Sequence, residues 1–269
     1  MSEATEAAVK IVVCVKHVPD ATADRGFEPD GTTDRESVDS LLSELDEYAV
    51  EQALRIVESG VDAEITYLTV GPDEAKSALR KALAMGGDRA VHVSDEGIAG
   101  TDALGTSLIL ARAVERLGFD LVLTGMAATD STMGVVPAML AERLDVPGIT
   151  YLDELQVEAG SGTVTGRREA ESATERISAS VPAVVSVTDR TGEARYPSFK
   201  GIMSAKKKPL DTLGLTDLGI DPARVGLAAA RSAVDSAAKR PPRVKGEVLP
   251  DEGDGGVVLA AFLASRKFI

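Results

Sequence analysis

At 269 residues, 44% apolar and 27% charged, the chain is long enough for one large α/β domain with appendages and too rich in apolar side chains to be disordered. Forty-three acidic against 29 basic residues leave a formal charge of −14, which argues against nucleic-acid binding and suits either a halophile protein kept soluble at high salt or an acidic mesophile protein. No apolar run approaches the ~18 residues that span a bilayer, and a single cysteine, Cys14, excludes an internal disulfide, so a cytoplasmic, non-membrane-embedded protein is expected.

Residues 1–9 lack the basic start and apolar centre of a secretory signal and read as a flexible tail. Residues 10–15 (KIVVCV) form an apolar, β-branched run of the kind buried on both faces of a parallel sheet. After a polar stretch to about Ser40, residues 46–59 place Val50, Ala53, Leu54 and Val57 on one helical face ending at Gly60. Residues 64–70 (EITYLTV) read as a second strand. Pro72 and the pair Gly86, Gly87 frame a helix with Ala75, Leu79, Ala82 and Leu83 inward. Residues 89–93 supply a third strand, and Thr101 is the expected cap of a helix carrying Leu104, Leu108, Ala111, Val114 and Leu117. Residues 120–124 (DLVLT), 135–144 and 148–152 continue as strand, helix and short strand.

This alternation predicts a doubly wound parallel sheet, Rossmann-like, with right-handed crossovers. The pattern then changes. Residues 155–158 and 163–168 flank AGSG as a β-hairpin, and a second strand pair is expected from Arg176 through Ala183 to Val187, with Pro182 tolerated at the start of the last run. Four parts are expected: the tail 1–9, an α/β domain 10–190, a loop with a lysine cluster 191–208, and an extended C-terminal arm 209–269 with short helical turns at 221–225 and 227–238.

Ligands of open parallel sheets bind beyond the carboxyl ends of the strands. The loops after Val15, around residues 43–46, after Val70 and after Thr124 qualify. In the last, DLVLT runs into GMAATDSTMG and a helix: Gly125 and Gly134 permit close backbone approach, Asp130, Ser131 and Thr132 offer side chains, and a helix N-terminus suits a phosphate. The plainer alternative is a strand-to-helix loop whose Ser and Thr cap the helix. Neither GxGxxG nor a P-loop is present. His17 and His92 have no partners at metal-ligand spacing, so no metal is expected. Cys14 reads as a buried small side chain, and Glu51 and Glu58 as a solvated helix face. No catalytic set is visible. Residues 195–208 (RYPSFKGIMSAKKK) carry five basic and no acidic residues with Tyr196, Phe199, Ile202 and Met203 interleaved, which suits either a docking surface or a solvated loop.

In sequence order, VKHVPD (15–20), LDEYAVEQAL (45–54), VGP (70–72), ALAMGGDRAVHV (82–93), DLVLTG (120–125), PAMLAERLDVP (137–147), VPAVVSV (181–187) and RYPSFKGIMSAKKK resemble the beta subunit of electron-transfer flavoproteins. The resemblance implies an AMP of structural duty, held by residues matching Cys14, Ser43, Glu44, Leu45, Asp46, Val70, Gly125, Met126, Ala127, Thr129, Asp130, Ser131, Thr132 and Gly134. It implies an alpha-subunit partner that holds most of the FAD, with the loop 18–21 near the shared face and the arm 209–269 packed on that subunit. It also implies a docking surface of Tyr196, Phe199, Lys200, Ile202, Met203, Lys206, Lys207 and Lys208, on which Phe199 stands where the family carries a protruding apolar residue. Electrons would come from acyl-CoA or related flavin dehydrogenases of fatty acid oxidation and leave to a quinone oxidoreductase. Two departures stand out: Ser43, Glu44 and Leu45 replace Asn-Pro-Phe, and the loop at Gly125 is shorter than in the mitochondrial type. A bifurcating flavoprotein with a second FAD in the same site, and a stand-alone ATP-binding module akin to universal stress proteins, are the alternatives.

Overall fold

The computed structural model describes residues 8–158, 162–246, 248 and 251–269; most of the expected tail and the tip of the expected hairpin lie outside them. Residues 1–235 and 236–269 form separate compact units. Within the first, a seven-stranded, all-parallel sheet is built from β1 (Val9–Cys14), β4 (Ala63–Val70), β5 (Arg89–Val93), β6 (Leu121–Gly125), β7 (Gly148–Leu152), β11 (Ala183–Val187) and β12 (Leu210–Leu213). Their order is β12-β5-β4-β1-β6-β11-β7. The chain moves outward from β1 to β4 and β5, then returns past β1 to β6. The β1/β6 boundary is therefore the topological switch point, where such sheets bind ligands.

Two apolar layers cover the sheet because its strands are apolar on both faces. Ile11, Val13, Ile65, Tyr67, Leu123 and Val185 pack against α1 (Glu44–Glu58) and α2 (Lys76–Met85). Val12, Cys14, Leu68, Val91 and Val122 pack against α3 (Ala103–Leu117) and α4 (Val136–Leu144). The inward face of α1 is rotated slightly from the expected one: Ile56 is buried and Val57 is exposed. Leu104 at the start of α3 is likewise exposed.

Four expectations are corrected. Thr101 does not cap α3; the Oδ1 of Asp102 accepts the Gly105 N–H at 3.0 Å, while the Thr101 hydroxyl accepts the Gly226 N–H at 2.7 Å. The strands at 176 and 183 are not a pair. β10 (Thr174–Ser180) joins β8 (Glu154–Glu158) and β9 (Thr163–Glu169) in a separate antiparallel sheet, whereas β11 is an interior strand of the parallel sheet, where a five-residue apolar run is buried on both faces. Residues 210–225 are not part of a loose arm: β12 adds an edge to the sheet, and Leu215, Leu218, Ile220 and Val225 are buried in the α3 layer. Each such burial contributes about 2 kcal/mol, enough to hold a segment that lacks periodicity. Finally, β2 (His17–Pro19) and β3 (Ser40–Leu42) pair antiparallel and close a loop that reads as merely polar; His17 begins that ribbon.

In the second unit, α6 (Gly255–Ser265) is apolar on every side, and Val257, Leu259, Phe262, Phe268 and Ile269 are exposed. No helix among the described residues is long and apolar enough to cross a membrane.

Candidate functional site

At the switch point the ends of β1 and β6 and the start of α1 are drawn together by one buried carboxylate. Asp46 accepts the backbone N–H of Lys16 at 2.8 Å and also that of Gly125. A side chain at 125 has no space, since a Cβ would lie 2.6 Å from both Asp46 Oδ1 and the Leu45 carbonyl. Glycine is thus required by close approach. Burial pushes the Asp46 pKa up to about 7; the Lys16 N–H, the Lys16 charge and the Gly125 N–H oppose the shift, and the Asp130 charge adds to it.

The loop from Gly125 turns on itself through the Thr132 N–H to Ala128 carbonyl bond of 2.8 Å and passes through left-handed backbone at Thr132 (φ 52°) and Gly134 (φ 64°) into α4. Among the described residues no side chain caps α4 or α1. Ser131 and Thr132 therefore do not take the capping role that the plainer reading gave them, and the N–H groups of Val136 and Ala138, with Pro137 between them offering none, remain open at the loop. Ser43 Oγ is buried with no hydrogen-bond partner among the described residues, as is Thr69 Oγ1 beside Val70. Orphaned buried hydroxyls at two of the candidate loops fit a ligand that supplies polar atoms.

Three cations reach the same loop. Lys16 Nζ and Arg35 Nη2 both lie 2.8 Å from Asp130 Oδ2, and Arg25 Nη1 donates to the Thr129 carbonyl at 2.8 Å. The Asp130 side chain is 2% exposed; burial pushes its pKa up, but Lys16 and Arg35 outweigh burial and hold it below the ordinary carboxylate range. An anionic ligand at this loop would meet the exposed flanks of Lys16 and Arg35 rather than a bare acid. These cations escape a sequence search because residues 16, 25 and 35 show no common spacing.

Among the residues expected to hold a nucleotide, Ser43, Asp46, Gly125 and Cys14 are buried at the switch point, Leu45 touches Gly125 through its carbonyl, and Asp130 anchors the cations. Val70, Met126, Ala127 and Thr129 are half-buried; Glu44, Ser131 and Thr132 are exposed. Cys14 is unreactive, its thiol pushed up to about 12 by burial and by Asp46. His92 is fully buried on β5 and donates from Nε2 to the Gly71 and Pro72 carbonyls at 2.9 and 3.0 Å, which fixes the turn after β4. Among the described residues no cluster of three or more His, Cys, Asp or Glu could hold a metal ion.

A second surface lies at residues 191–208. The stretch is not all loop: α5 (Phe199–Ala205) starts at Ser198, whose hydroxyl accepts the Gly201 N–H at 3.0 Å. Gly201 packs against the Ala84 carbonyl of α2 so closely that a Cβ would lie 2.2 Å away, and Ala205 is buried. The other face is left outward, with Tyr196 95% and Phe199 81% exposed and Ile202 and Met203 exposed beside them. Lys200, Lys206 and Lys207 are exposed. Lys208 is placed differently: its Nζ donates to the Leu83 and Gly86 carbonyls at 3.0 and 3.2 Å, closing the C-terminus of α2. Arg80 holds the Ala205 and Lys208 carbonyls from below. Glu51 and Glu58 are not a solvated face, because Glu51 is buried and both bind Arg195 at the entry to this segment.

Residues 30–218 match the model of the electron transfer flavoprotein domain family. The chain is 43% identical over 265 residues to the electron transfer flavoprotein subunit beta of Mycobacterium tuberculosis, covering 96% of this chain and 99% of the relative. It is 34% identical over 254 residues to the subunit beta of Megasphaera elsdenii, covering 91% and 93%. It is 33% identical over 242 residues to the caffeyl-CoA reductase-Etf complex subunit CarD of Acetobacterium woodii, covering 90% and 92%. With the parallel sheet, the loop at its switch point and the exposed apolar segment in place, this chain belongs to the electron transfer flavoprotein family, and within it to the beta subunits.

Proposed function

We propose that this chain is the beta half of a two-subunit electron carrier, which accepts electrons from acyl-CoA or related flavin dehydrogenases and passes them to a membrane quinone oxidoreductase. The observation that carries the reading is the apolar tip of Tyr196, Phe199, Ile202 and Met203, standing in solvent on a base pinned by Gly201, Arg80, Lys208 and Arg195. A small apolar contact ringed by lysines gives a short-lived complex whose encounter is steered by charge, which is what a shuttling carrier needs.

FAD, held mainly by the alpha subunit, supplies the redox chemistry. In this chain the open N–H groups of α4, the unpartnered Ser43 hydroxyl and the Lys16 and Arg35 side chains would hold the phosphate and ribose of an AMP. The role of that nucleotide is to stiffen the switch point. The exposed, wholly apolar α6 is the element that would lie on the alpha subunit, since a helix apolar on every side is stable in water only when covered.

Coexpression with an alpha-type subunit, followed by an absorbance spectrum and nucleotide extraction, tests the reading. A yellow heterodimer with one FAD and one AMP is expected, and Phe199→Ala should lower electron acceptance from the dehydrogenase about tenfold at unchanged FAD content. Two FAD per heterodimer and no AMP would identify the bifurcating alternative. A colourless single chain would overturn the carrier.

A further inference from the structure

The edge strand β7 contains a defect with a purpose. Its inward residues are Ile149 and Leu152, three positions apart, whereas a regular strand repeats every two. Opposite them on β11 stand Val185 and Val187, so β7 carries one extra residue, a β-bulge at Thr150 and Tyr151. The bulge puts Tyr151 at φ 62°, a region that a bulky side chain rarely enters.

Dedicated bonds hold it there. The Tyr151 N–H donates to the hydroxyl of the fully buried Ser186 at 2.9 Å, and Arg168 Nη1 donates to the Thr150 carbonyl at 3.2 Å. Strained residues persist where their surroundings over-determine them, and bulges next to functional sites re-aim a side chain. Here the re-aimed phenol ends on the nucleotide loop. A Cβ at Gly134 would lie 2.1 Å from the Tyr151 hydroxyl oxygen, so the phenol occupies the space beside the last residue of the loop before α4.

We propose that Tyr151 is a positioning residue for the nucleotide loop: its phenol backs the left-handed turn at Gly134 and thereby sets where the open N–H groups at the start of α4 point. The assignment rests on the adenylate reading above and deepens it. Gly134 is favoured by its φ of 64° as well as by the lack of room beside the phenol, and the bulge that strains Tyr151 is what brings that phenol to the loop.

The test uses the full chain assembled with its alpha partner, stripped of nucleotide and titrated with AMP. Tyr151→Ala should weaken AMP about tenfold with flavin content and melting temperature near wild type. Gly134→Ala should weaken it too, and adding Tyr151→Phe to Gly134→Ala should restore part of the loss, because the phenol oxygen is the colliding atom; that non-additivity is the mark of a direct contact. AMP affinity unchanged in Tyr151→Ala, or strictly additive effects of Gly134→Ala and Tyr151→Phe, would overturn the role of Tyr151 alone. A stripped wild type that takes no AMP would refute the adenylate reading, and the role of Tyr151 with it.

Discussion

Arg195 closes on Glu51 across 144 residues of chain, its Nε 2.7 Å from Oε2 and its Nη2 3.1 Å from Oε1, while the same guanidinium grips Glu58 at 2.6 and 2.9 Å. Arg55, one turn along α1 from Glu51, donates to that carboxylate and to the carbonyls of Thr191 and Glu193. The segment that leads to Phe199 is therefore riveted to α1 by planar, forked donors before it reaches the exposed tip.

Removing the rivet should loosen the tip. Arg195→Ala leaves the buried Glu51 carboxylate with Arg55 alone and is expected to cost about 2 kcal/mol in a urea melt. Arg195→Lys should recover only part, since an ammonium cannot reach both oxygens and Glu58 together. Electron acceptance should fall alongside, and a melt identical to wild type would contradict the clamp.

Asp46 predicts a pH dependence with a definite sign. Its folded pKa of about 7 stands above the ordinary carboxylate value of 3.8, so the folded state binds the proton more tightly than the unfolded chain does. The resulting stability is present below about pH 4 and is lost as pH rises through 7, with a slope of at most about 1.4 kcal/mol per pH unit. Asp130 and Glu51, whose folded pKa values are lowered, act in the opposite sense and only in acid. His17, whose folded pKa burial lowers below its ordinary 6.5, titrates in the same range and acts against Asp46 in both proteins, so the slope of urea midpoint against pH between 5 and 8 should be more negative in the wild type than in Asp46→Asn. Parallel slopes in the two proteins would rule out Asp46 as their source.

Gly201 separates the docking tip from its base. Gly201→Ala drives a methyl into the Ala84 carbonyl, and α5 must lift from α2 at a cost of about 1–3 kcal/mol. The dehydrogenase reaction should suffer while AMP binding, at the switch point between β1 and β6, stays unchanged. Loss of both together would show that the two surfaces are coupled.

Local physics made much of this legible in advance. Runs such as KIVVCV and AVVSV are strands because only a sheet covered on both faces buries every residue, and Gly125 in DLVLTG marks a strand end where backbones meet. Periodicity could not assign 210–225, where isolated Leu215, Leu218 and Ile220 find their cover only on α3, or the pairing of β10 and β11, since a short apolar run does not reveal its sheet. It also misread Glu51, which on its own helix looks like one more acid. The three-residue spacing of Ile149 and Leu152 was a visible trace of the bulge, but where Tyr151 ends up was not.

Alternating apolar periods and glycine placement, which depend only on neighbours along the chain, determined the α/β class, most of the parallel strands and the loops at their carboxyl ends. Which charges pair across distant segments was decided by the tertiary structure. Asp46 spans two loops, Arg195 meets Glu51, and Lys208 is spent on α2 while Phe199 is left in water, because these outcomes depend on distances between segments that folding brings together from 30 to 144 residues apart.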